Sequence, residues 1–184
     1  MQANQPLPRR WLMTDERLGA RLLDLVARLP DGTGIVFRHY SLADAERRRL
    51  FDQVRERHDG LLLLAGHADQ ARAWGADGSH GRGAGHGLRS APIHDFRELR
   101  AAERARASFV FLSPVFATRS HPDAAPLGIA RFAWLARRTA LPVIALGGMN
   151  ETRGKKLASF GAYGWGGIDA FGSGSASCPF TRSP

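Results

Sequence analysis

Leu141-Pro142-Val143-Ile144-Ala145-Leu146-Gly147-Gly148-Met149 is a short apolar run that ends in two glycines, and a stretch of helical period at 151–160 follows it. A run of this length and composition reads as a strand of a parallel sheet, and Gly-Gly marks the turn into the next helix. The same unit recurs outward along the chain. Candidate strands fall at 11–14, 34–38, 60–65, 78–80, 89–93, 109–115, 142–148 and 164–168. Between them, 17–29, 42–58, 69–74, 95–106, 129–139 and 151–160 carry apolar residues at helical spacing; Leu18, Leu22, Leu25, Val26 and Leu29 are one such stripe. Eight strands alternating with helices predict an α/β chain folded as a single TIM-type (β/α)8 barrel over residues 10–171.

Two places depart from the repeat. After the weak fourth strand, the glycine-rich 81–87 (GRGAGHG) stands where a helix is expected, and 172–184 (GSGSASCPFTRSP) is small and polar where the last unit would add one. The barrel is therefore expected to lack a complete last helix and to end in a flexible C-terminal tail. Asp95 followed by Glu98 predicts a helix N-cap with its reciprocal partner three residues on.

Composition narrows the function classes. The formal charge of +9 comes from 26 Lys+Arg against 17 Asp+Glu, and Lys155 and Lys156 are the only lysines. The arginines lie on helical segments with acids interspersed and without aromatic-basic alternation, which predicts solvated helix faces and no nucleic-acid partner. The balance also suits phosphorylated metabolites. No apolar run approaches the roughly 20 residues of a membrane span, and no signal segment opens the chain, so a cytoplasmic protein without membrane contact is expected. Cys178 is the only cysteine, which leaves no internal disulfide and no cysteine-based zinc site.

Several segments resemble the thiamine phosphate synthase and TenI family. They are Trp11-Leu12-Met13-Thr14-Asp15, Arg38, Trp74 to His80, Phe111-Leu112-Ser113-Pro114-Val115-Phe116-Ala117-Thr118, Ala125-Pro126-Leu127-Gly128, and the opening run at 141–149. In a barrel of this kind, chemistry lies at the C-terminal ends of the strands, and the loops after strands 7 and 8 commonly hold a phosphate. Gly147 and Gly148 let backbone N–H groups approach an anion, although a tight strand-to-helix turn also calls for glycine. The resemblance implies phosphate or substrate contacts from Thr118, Ser120 and His121 after strand 6, from Arg38 after strand 2, and from Ile168 after strand 8.

The resemblance also has gaps. Family synthases carry lysines where this chain has Tyr40 and His121, and magnesium-binding aspartates where it has Gly66 and, near the glycine loop, Gly85. Magnesium prefers carboxylate oxygens, so no metal site is expected, and magnesium enters only if the chain is a synthase. Asp169 beside Ile168 would repel a phosphate unless turned away.

His94 ends strand 5, where TenI-type thiazole tautomerases place a histidine that shifts a proton to aromatise a thiazole carboxylate phosphate. Imidazole suits that task because it both takes and gives a proton near neutral pH. A structural histidine fixing the turn is the competing reading. His67, His80 and His86 lack a recognised metal-ligand spacing. The resemblance thus implies a TenI-like protein that binds a thiazole phosphate or thiamine phosphate, with His94 as general acid/base, no cofactor and possible homodimers. Alternatives are a thiamine phosphate synthase, joining an aminopyrimidine diphosphate to thiazole phosphate, and a non-catalytic barrel that binds a phosphorylated ligand or a partner.

Overall fold

The computed structural model describes residues 6–118 and 125–171. Eight parallel strands close a barrel in chain order. They are β1 (Arg10–Met13), β2 (Thr33–Phe37), β3 (Leu62–Ala65), β4 (Gly78–His80), β5 (Leu88–Ile93), β6 (Phe109–Leu112), β7 (Val143–Ala145) and β8 (Gly164–Gly167). Helices α1 (Arg21–Ala27), α2 (Asp44–Arg55), α3 (Ala68–Ala73), α4 (Phe96–Arg104), α5 (Gly128–Ala136) and α6 (Glu151–Ala158) pack outside. As expected, the glycine loop at 81–87 joins β4 directly to β5, and only a 3-10 turn, Asp169–Phe171, follows β8 within the described residues. The tail at 172–184 lies outside them. No helix among the described residues is long and apolar enough to cross a membrane.

Closure depends on side-chain size inside the ring. Trp11 of β1 pairs in register with Gly34 of β2 and Gly166 of β8. A Cβ on Gly34 would stand 2.6 Å from the indole, so the small neighbours make the space that the tryptophan fills. Phe109 and Phe111 of β6 complete the plug, with ring centroids 5.2 and 5.5 Å from Trp11. Outside the ring, Gly154 of α6 brings its helix against Trp165 of β8; a Cβ there would lie 2.1 Å from the indole Cδ1.

Two local expectations need correction. The first helix does not run through 17–29: a 3-10 turn, Glu16–Leu18, is capped by Asp15, and Gly19 at φ +48° separates it from α1. That left-handed φ is accessible to glycine and breaks the helical hydrogen-bond ladder. Asp95 caps α4 through Glu98 N (2.8 Å), but Glu98 returns its bond to His94 N (2.7 Å), one residue before the cap.

Candidate functional site

Side chains alternate across a strand, so one parity of each strand points into the barrel. Trp11 and Met13 share that face, as do Gly34, Val36 and the position of Arg38 just beyond β2. The same parity carries Ser90 and Pro92 to His94, Phe111 to Ser113, Ile144 to Leu146, and Gly166 to Ile168. Arg38, His94, Ser113, Leu146 and Ile168 thus meet at the C-terminal rim, where they line a cleft of about 900 Å³. Thr118, Gly147 and Gly148 border the same cleft. Ser120 and His121 lie outside the described residues.

His94 is exposed at this rim and held at both its main chain and its ring. Its peptide N–H donates to Glu98 Oε2, and its Nδ1 lies 2.7 Å from the Ser113 carbonyl oxygen. A carbonyl only accepts, so Nδ1 carries the proton and Nε2 keeps the lone pair of the neutral ring. The other oxygen of Glu98 is taken by Arg82 at 2.6 Å, which ties the glycine loop to α4.

Arg38 is largely committed to its own neighbours. Its Nε donates to Thr14 O and its Nη2 to Asp15 Oδ2, both at 2.7 Å. Burial works to raise the Asp15 carboxyl, but hydrogen bonds from Arg17 and the charge of Arg38 outweigh it and hold the group below its ordinary value. Beneath Arg38, Arg47 of α2 is 6% exposed and donates to Arg38 O (2.8 Å) and Ala65 O (2.5 Å), joining the ends of β2 and β3. Its guanidinium lies 5.5 Å from the ring centroids of both Tyr40 and Trp74. Tyr40, at the position where the resemblance implies a second cation, thus lies over the buried Arg47 and is not among the residues that line the cleft.

The glycine turn is constrained twice. Gly147 and Gly148 have φ of +88° and +60°, and added Cβ atoms would lie 2.7 Å from Pro114 Cα and 2.5 Å from Ala117 O. Glycine is needed there both for backbone conformation and for contact with the 114–117 segment. Asn150 then caps α6 by accepting from Arg153 N at 2.9 Å. Arg153 folds back to donate to Gly148 O, with its guanidinium 4.5 Å from the Phe116 ring centroid. Ile168 is 9% exposed, and Asp169 beside it also lines the cleft.

The residues present do not fit the family's two-aspartate magnesium site. Gly66 has φ +141°, and a Cβ on Gly85 would stand 2.6 Å from Ala68 Cβ. Asp69 pairs with Arg72 on the surface, while Asp77 binds Arg55 and the Leu62 N–H at the opposite rim, where β3 begins. Among the described residues no group of three or more His, Cys, Asp or Glu side chains could hold a metal ion. His80 and His86 do not combine: His86 is exposed, whereas His80 is buried with Nδ1 2.9 Å from Ser90 Oγ. Burial takes the His80 pKa down to about 3, which keeps the ring neutral.

Arg131 and Asn150 also line the cleft and went unnoticed in the sequence. A usable signal existed, because the first turn of a helix that follows a barrel strand borders the C-terminal rim, and Arg131 is the fourth residue of α5.

Comparison with known proteins agrees with this architecture. A family model described as "Thiamine monophosphate synthase" matches residues 90–171. The "Thiamine-phosphate synthase" of Laribacter hongkongensis is 33% identical over 135 residues, 64% of this chain and 59% of that protein. The alignment thus spans about three-fifths of that relative's length. Among solved structures, a thiamine phosphate pyrophosphorylase from Pyrococcus furiosus superposes with a TM-score of 0.77 at 23% identity, covering 91% of this chain and 89% of the other. The relatives' names speak for the synthase alternative more than for the tautomerase reading. "Putative thiamine-phosphate synthase 2" of Aquifex aeolicus is 32% identical over 182 residues, 90% of this chain and 98% of that protein. With a relative this similar aligned along nearly its whole length, the chain belongs to the thiamine-phosphate synthase/TenI family.

Proposed function

We propose that the cleft binds a phosphorylated thiazole and that His94 moves a proton on it, the chemistry of a thiazole tautomerase. The carrying observation is the 2.7 Å contact of Nδ1 with the Ser113 carbonyl, which reserves Nε2 for the cleft. Nε2 takes a proton from one ring position of the ligand and, as imidazolium, returns it at another. The Ser113 carbonyl supports the charged ring through the Nδ1–H bond, and no net oxidation or group transfer occurs. Met13, Pro114, Leu127 and Leu146 give the cleft an apolar wall suited to a methylated heterocycle. The Gly147-Gly148 turn and the N-terminus of α6 suit the phosphate, with Thr118, Arg38 and the Ile168 backbone at its margins, and Ser120 and His121 are proposed to join them from the loop after β6.

A thiamine phosphate synthase is the second reading, favoured by the names of the relatives. It requires diphosphate to depart, and the charges that would stabilise that departure map to Gly66, Gly85, Tyr40 and His121. Two assays on the full chain separate the readings. In the first, thiazole isomerisation is followed with the wild type and His94→Gln; a loss of roughly 10²- to 10⁴-fold is expected while thiamine phosphate still raises the melting temperature. In the second, the two synthase precursors are supplied with magnesium, and no thiamine phosphate should form. Robust magnesium-dependent synthesis, with isomerisation absent, would establish the synthase instead.

A further inference from the structure

Of the three large apolar side chains that stand most exposed among the described residues, two are neighbours. Phe96 opens α4 and Trp134 lies on α5; they are 41% and 45% exposed, and their rings meet edge to face with centroids 5.6 Å apart. With the buried Leu135 they line a groove of about 420 Å³, together with Asp95, Arg97 and Arg131. A single exposed apolar residue is ordinary, but an exposed aromatic pair beside a groove marks a place where another molecule can bury it.

The charge around the groove is one-sided. Arg131, Trp134 and Arg138 follow the i, i+3, i+7 spacing of one helix face, and 128–138 contains no acidic residue. The Arg138 guanidinium lies 3.7 Å from the Trp134 ring centroid and donates to the Trp134 carbonyl at 3.0 Å. On α4 the carboxylates are already engaged: Asp95 Oδ1 caps the helix, Glu98 pairs with Arg82, and Glu103 pairs with Arg100. Among the described residues Arg97, Arg131 and Arg138 form no ion pair. Tryptophan and arginine carry much of the binding energy at protein interfaces, and unpaired guanidiniums around an apolar slot complement carboxylates around an apolar side chain.

We propose that the α4–α5 face is a docking surface for another protein, one that presents an acidic segment whose aromatic or aliphatic side chain fills the groove. A second copy of this chain fits poorly, because a two-fold contact through this face would set its arginines against their own copies. A nucleic acid fits poorly too: bases stack on open ring faces, whereas Trp134 has Arg138 against its ring and Phe96 packed beside it. The docking is independent of the ligand of the cleft.

The test is selection from a displayed library of random short peptides on the immobilised full chain, followed by titration of the most enriched peptide by fluorescence anisotropy. The enriched peptides should share one aromatic or aliphatic residue with aspartate or glutamate on both sides. Affinity for the wild type should fall as salt is added, and both Trp134→Ala and the pair Arg97→Gln with Arg138→Gln should weaken binding roughly 10-fold or more. Arg97 and Arg138 are exposed, so the arginine variant should keep the wild-type melting temperature. No enrichment, enrichment of peptides without acidic residues, or equal affinity for the wild type and both variants would overturn the docking surface. Tighter binding of a single-stranded oligothymidylate, lost in the same variants, would overturn it in favour of a nucleic-acid surface. A dimer in sedimentation that Trp134→Ala abolishes would overturn it in favour of a contact between copies.

Discussion

Acidification should loosen the barrel through His80 before its carboxylates titrate. His80 is the last residue of β4, is 6% exposed, and lies edge-on to Phe111 with ring centroids 5.2 Å apart. Burial, with a smaller push from the Arg38 charge, lowers its pKa from 6.5 to about 3. On unfolding, the imidazole regains water and its ordinary value. In the window between these two values, the unfolded chain holds a proton that the folded chain refuses. The stabilisation is therefore complete above the unfolded value and is lost as pH falls from there toward the folded one. One group contributes a slope of about 1.4 kcal/mol per pH unit, so at about pH 5 the His80 share of the loss is about 2 kcal/mol. For a chain of this size that corresponds to roughly 4–8 °C in melting temperature. His39 and His58, whose pKa values burial also lowers, add losses of the same sign. Asp15 and Glu16, held below their ordinary values, follow only at more acidic pH. Urea unfolding at about pH 7 and about pH 5 isolates the His80 share when the wild type is compared with His80→Gln, which should lose about 2 kcal/mol less between the two conditions. Identical pH dependence in the two proteins would refute the assignment of a neutral, proton-excluding His80.

Other perturbations test the packing and the rim. Gly154→Ala places a Cβ 2.1 Å from Trp165 Cδ1. The ring is 7% exposed and stacked on Phe171 at 5.5 Å, so it has little room to retreat; a loss of roughly 1–3 kcal/mol is expected in thermal unfolding. Arg47→Met removes the donors to Arg38 O and Ala65 O and should cost roughly 2–4 kcal/mol in urea unfolding; wild-type stability in this variant would show that the carbonyls find other partners. Arg82→Ala breaks a solvent-exposed pair with Glu98 and should change stability by less than about 1 kcal/mol, with His94 still held through the Glu98 bond to its N–H.

The strand and helix periods made the barrel legible, including the missing helix after β4 and the place of His94, Arg38, Gly147, Gly148 and Ile168 at strand ends. That reading works because side-chain alternation and helical stripes are properties of neighbouring residues. The chemical state of those positions was not legible. That Asp15 occupies Arg38, and that Arg47 spans β2 and β3, follows from the β1–β2 and β2–β3 registers, which bring together residues 18 to 24 positions apart. His80 and His94 look alike as strand-end histidines, yet one is sealed beside Phe111 and Ser90 while the other opens to the cleft on the Ser113 carbonyl. Arg131 resembles other helical arginines until closure of the barrel sets the first turn of α5 opposite the cap of α4. Residue type and local period determined which groups reach the rim; burial, pairing and the proton position of each group arose only when barrel closure juxtaposed distant segments, because desolvation and charge compensation depend on neighbours in space and not in sequence.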